Sequence, residues 1–181
     1  MEQAPQPDVL LEAPRLSPFP AFPALLRGLA GYTALGIGAL ISAEGIQAPL
    51  ALSLSVLVAA GGAVVMTTPT LLVAHQYLGL SAKPGAVLGA VIASLSKTGG
   101  LALWLAPVLL FFAASGTVWA TIYWIAVLWL GVVGLCGAVM GLSELEERWT
   151  SGATLALGWA VLSAATGTHL LLKMYRLAVE G

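Results

Sequence analysis

At 181 residues the chain is 59% hydrophobic and 8% charged, with a mean hydropathy of +0.97 and a net charge of −1. A soluble domain carries about 25% charged residues, so a chain this apolar cannot cover itself with a wetted surface, and its solvent is lipid. The near-zero charge and the lack of any basic run exclude a nucleic-acid or polyanion binder.

Residues 1–23 hold six prolines: Pro5, Pro7, Pro14, Pro18, Pro20 and Pro23. That is too many for a helix interior, and no basic n-region or apolar core marks a signal peptide. The stretch reads as a retained, proline-rich tail lying against the headgroups. A spanning helix needs about 20 apolar residues. The first candidate runs over residues 24–43, with Arg27 near its start. The second begins near Pro49 and meets Pro69, which should kink or end it. The segment from Pro69 to Pro84 then reads as a re-entrant or interfacial turn. A third apolar stretch covers residues 84–114, a fourth 118–142 and a fifth 152–172. The fold class is therefore an all-α integral membrane protein, a bundle of about five transmembrane helices with one or two broken or carrying a re-entrant or interfacial segment. The organisation is a tail at 1–23, a helical domain at 24–172 and a short C-terminal tail at 173–181.

Five crossings put the termini on opposite sides. Arg15, Arg27, Lys83 and Arg148 then fall on one side and Lys173 and Arg176 on the other, which favours a cytoplasmic N-terminus. Between the fourth and fifth spans, Ser143 and Glu146 match a capping box at the start of a short interfacial helix. Glu144, Glu146 and Glu147 read as a solvated turn of that helix.

The third stretch contains a polar island of Ser94, Ser96, Lys97, Thr98, Gly99 and Gly100. A lysine at the centre of a lipid-facing helix costs about 3 kcal/mol, so such residues turn toward water or a partner. Two readings stay open for Lys97: an interfacial anchor, or the lining of a path for an anion or small polar solute. His75 is the other candidate, able to titrate near neutral pH or simply to bond a neighbouring carbonyl. Small residues mark helix contacts: Ala30, Ala34 and Gly38 in the first span, and Gly131, Gly134, Gly137 and Gly141 in the fourth. Trp119, Tyr123 and Trp124 read as an aromatic belt at one interface, and Trp129 as a packed residue.

No nucleophile with a base, paired intramembrane carboxylates or phosphate loop is present in the sequence, so no catalytic residues and no cofactor are expected. Two histidines and a lone Cys136 make no metal site and no internal disulfide. The sequence thus predicts a non-enzymatic, multi-pass protein whose partners are the bilayer and either copies of itself or other membrane subunits. The alternative is a transporter or channel lined by Lys97 and a broken third helix.

Overall fold

The computed structural model describes residues 21–41, 49–115, 119–146 and 149–180. Residues 1–20 of the proline-rich tail, the surroundings of Gly38 and Trp119, and residues Glu147, Arg148 and Gly181 lie outside that description, while Ala21, Phe22 and Pro23 begin the first helix. Among the described residues all regular structure is helical: α1 (Ala21–Ile41), α2 (Pro49–Tyr77), α3 (Pro84–Ser115), α4 (Trp119–Ser143) and α5 (Trp149–Glu180). Four of them, α2 to α5, are long and apolar enough to cross a membrane.

The helices are longer and less interrupted than the sequence suggests. α2 runs through Pro69 as far as Tyr77, so the stretch read as a separate re-entrant segment is its last turns and a short connection. Proline removes only one ladder bond, and lipid leaves the remaining backbone groups nowhere better to go. Just ahead of it, Thr67 and Thr68 return their hydroxyls to the carbonyls of Ala63 and Val64. α3 is likewise one unbroken helix, through the polar island and Pro107, about 48 Å long at 1.5 Å per residue. α5 continues to Glu180, through the residues read as a C-terminal tail.

The α2–α3 connection explains its own sharpness. Gly79 sits at φ 62°, and Leu80 and Gly79 donate their N–H groups to the carbonyls of His75 and Gln76. This is a Schellman ending, which needs a left-handed residue that glycine supplies without a Cβ clash. Four residues later Lys83 accepts the first helical bonds of α3, from Ala86 and Val87. Pro84 then occupies the first helical position, where a missing N–H costs nothing.

Each helix packs on two neighbours, in the order α1, α3, α4, α5, α2 and back to α1, while α2 and α3 barely touch. α1 and α3 run parallel and nearly backbone to backbone. A Cβ on Gly31 would overlap the carbonyl of Gly99, and one on Gly99 would overlap Gly28. Ser96 adds a hydroxyl bond of 2.6 Å to the Ala24 carbonyl. α4 lies antiparallel to α3, with Gly134 against Thr98, Gly137 against Ser94 and Gly141 against Ala90. α2 and α5 meet through Ala59, Ala63 and Gly167. Interhelical hydroxyl bonds in a bilayer contribute about 0.6 kcal/mol each, so close packing of these small residues does more than those bonds to hold the ring.

Candidate functional site

The ring does not fill its own centre. Where α2 and α3 part, it encloses a chamber of about 280 Å³. The reason is local: α2 presents Ala59, Ala60 and Ala63 to the interior, and α5 presents Ala164 and Gly167. Side chains that small cannot reach the opposite wall. α1 contributes Tyr32, while α3 contributes Ser94 and Thr98. No charged side chain lines the chamber among the described residues. It extends on α5 from Trp159 to Leu171, about 18 Å along the helix axis. Leu128 and Val132 of α4 line it and are also 67% and 60% exposed on the outside. The chamber therefore opens beside Leu128 and Val132, near the middle of α4. Gly131 stands at the same mouth, and a side chain added there would meet open space.

At one end of the ring, the α2–α3 turn and the α4–α5 link are tied by a second polar feature. His75 Nε2 lies 2.6 Å from Glu146 Oε1, with both side chains almost wholly buried. The backbone N–H and hydroxyl of Ser81 both donate to Glu146 Oε2 at 2.9 Å, and the Ala82 N–H donates to Oε1 at 3.1 Å. Burial pushes the Glu146 carboxyl up. The Ser81 and Ala82 amides, with His75 and the Ser81 hydroxyl, outweigh it and hold the group below its ordinary value. The Ser81 hydroxyl faces the carboxylate and not the imidazole, so the three residues do not form a nucleophile–base relay. The free space beside the pair is about 10 Å³, too little for a substrate. Its geometry is that of a latch.

Several sequence readings change here. Glu146 is no solvated turn residue: its carboxylate serves the residues ahead of α3 and does not cap α5. Ser143 ends α4 and bonds the Met140 carbonyl, and residues 144–146 form a turn with no interfacial helix. Tyr123 points inward, 2% exposed, with its hydroxyl 3.4 Å from Ser55, while Trp129 is 51% exposed rather than packed.

The polar island of α3 divides around the helix. Ser94 and Thr98 face α4 and the chamber, and Ser96 and Gly99 face α1. Gly100 is half-buried, with nothing near its missing side chain. Lys97 is exposed and does not line the chamber. Of the small residues, Gly134, Gly137 and Gly141 meet α3 of the same chain, Ala30 is exposed and Ala34 is half-buried. Sequence reasoning passed over Trp159, Ser163 and Thr67. The only signal for Trp159 and Ser163 was a tryptophan and a serine among the small residues of "LGWAVLSAATG". Comparisons with protein-family models, with curated proteins and with solved structures returned no match for the chain.

Proposed function

We propose that this chain is a non-enzymatic, multi-pass membrane protein that holds a small, lipid-soluble molecule in the chamber within its helix ring. The observation that carries this reading is the chamber itself: uncharged on its described walls, and open to the side at Leu128 and Val132. Dry, apolar cavities of comparable size bind apolar molecules readily. A neutral occupant arriving from the bilayer suits such a wall better than an ion, whose burial without a countercharge is costly. Release to the other leaflet or to a partner would make the protein a carrier.

The test uses a long-chain alkyl diazirine as the probe, photoactivated with the protein in nanodiscs. Labelling should fall on the chamber-facing peptides of α2 and α5. Gly131→Leu fills the mouth without a clash and should leave folding intact. Forcing a ligand past a filled site costs about 1–3 kcal/mol, so labelling should drop roughly tenfold. Equal labelling of both proteins sinks the reading.

The same geometry supports five crossings with a cytoplasmic N-terminus. α1 is about 31 Å long at 1.5 Å per residue, one hydrocarbon thickness. Ser96 bonds Ala24, so Lys97 stands level with the first turns of α1. Its long stem can carry the charge toward that end, where it joins Arg27 and Lys83.

A second reading, self-assembly, is favoured by a groove of about 680 Å³ on the outside of the α2–α5 pair. It is walled by Thr70, Ala74, Ser151, Thr154 and Gly158, small and hydroxyl side chains of the kind that let transmembrane helices approach. A side chain at Gly158 would meet nothing within 4 Å, which leaves room for a helix of a second copy. Gly158→Leu should then reduce a wild-type oligomer to monomer, as read by light scattering in detergent. A wild-type monomer, or an oligomer that survives the change, removes this reading.

A further inference from the structure

Lys97 does not line the chamber, and it stands beside a second cation, Arg27 of α1. A Cβ on Gly28 would lie 3.0 Å from the Ser96 Cα. With about 3.8 Å between consecutive Cα atoms, those of Arg27 and Lys97 are within about 12 Å of each other, a gap that two long side chains can close from either side. Both residues are exposed. Among the described residues neither has a carboxylate partner. Arg27 lies about 9 Å from the start of α1 by helix rise, within reach of a phosphate layer at that end. Like charges held this close beside hydrocarbon repel, and an anion between them removes that cost.

The surface beside Lys97 continues as an apolar one. Gly89, Ala93, Lys97, Gly100 and Trp104 share one face of α3 by helical spacing, and all but the half-buried Gly100 are exposed. A Cβ on Gly89 or Gly100 would meet nothing within 4 Å, so the face is shallow on either side of the lysine. Trp104, 83% exposed, stands about 10 Å further along by helix rise. Past Lys97, α3 carries no charged residue.

We infer that Arg27 and Lys97 together bind the phosphate of an anionic phospholipid, with an acyl chain lying over Gly100 toward Trp104. The inference is independent of what the chamber holds. The headgroup is anionic overall because two cations converge and neither has a described acid beside it that would take a choline or ammonium group. Basic sites between transmembrane helices recognise such headgroups. The source is a lipid because the shallow, uncharged face beyond the lysine suits a chain and offers a free phosphate nothing.

The test is native mass spectrometry of the full chain in detergent, titrated with phosphatidylglycerol or phosphatidylcholine of equal chain length. The wild type should bind its first phosphatidylglycerol about tenfold more tightly than phosphatidylcholine. Arg27→Gln and Lys97→Gln, both at exposed positions, should each weaken that site about fivefold. Lys97→Arg should retain it. Lys173→Gln, at an exposed position of α5, should leave it unchanged. A phosphatidylglycerol carrying a diazirine in its acyl chain should label α3 between Gly100 and Phe111, which tests the wild type without any variant. Glycerol 3-phosphate should not compete. Equal binding of the two lipids, or a preference that survives both Gln changes, overturns the inference. Competition by glycerol 3-phosphate overturns the lipid as its source. Labelling of the chamber by the alkyl diazirine is read separately, so each of these results leaves the chamber reading standing.

Discussion

Glu146 shows how a charged residue in the most hydrophilic link of the chain becomes one of its best-buried groups. The carboxylate lies beside the N–H groups of Ser81 and Ala82, just ahead of α3, where the helix dipole also favours a negative charge. Removing it by Glu146→Ala leaves His75 and two backbone donors unpaired and should cost about 3 kcal/mol. Its pH dependence follows from the lowered carboxyl pKa. In the unfolded chain the group takes up its proton near 4.5, its ordinary value, while in the folded chain it does so only at lower pH. The stabilisation is therefore complete above that ordinary value and is lost as pH falls through the folded one. Thermal unfolding midpoints in detergent should thus fall more steeply toward acid pH in the wild type than in Glu146→Gln. The variant should also be less stable at neutral pH, since an amide cannot accept all four bonds. Parallel curves would show that ionisation of Glu146 does not contribute.

At the scale of the helices, the all-helical class and the existence of each apolar helix were legible, because hydropathy and length are properties of a segment alone. Which face each helix presents was not. A soluble helix reveals its buried side by its polar side, whereas α1 and α4 are apolar nearly all round. Small-residue spacing then has to decide, and α1 offers two rows. The row read from sequence was Ala30, Ala34 and Gly38, but the close approaches are made by Gly28 and Gly31 to α3 and by Gly36 to α2. Glycine permits what alanine does not when two backbones nearly touch. In α4 the row read from sequence meets α3 at Gly134, Gly137 and Gly141. Spacing could not say whether that partner belonged to the same chain. The latch was illegible for a different reason: 71 residues separate His75 from Glu146, and Ser143 stood at a spacing that offered the carboxylate a nearer, false partner. Trp159 carried no signal because a chamber is made by what opposite walls lack.

For the molecule as a whole, the number of crossings turns on α1. α3 is long and apolar enough to cross, and α1 runs parallel to it with backbones in near contact from Gly28 to Gly31. Further along, at Gly36, α1 approaches α2 just as closely. A helix lying flat on the membrane could not keep that approach to two crossing neighbours over successive turns, which supports the proposal that α1 crosses with them. On the five-crossing proposal, Ser17, the α2–α3 turn and the α4–α5 link would lie on one side, and the C-terminal end of α3 on the other. The excess of Lys and Arg on that side then predicts a cytoplasmic location for the first group. The measurement is labelling of single cysteines by a membrane-impermeant maleimide in oriented vesicles. Cys136 is first replaced by alanine, because it is itself exposed. Cysteines at Ser17, Ser81 and Glu144 should react only from the cytoplasmic side, and one at Ser115 only from the other. Reaction of Ser17 from the side opposite Ser81 would mean an even number of crossings and detach α1 from the ring. The chamber would then lose Tyr32 from its wall. Reaction of all four from the sides opposite to those expected would keep the ring and reverse only its orientation.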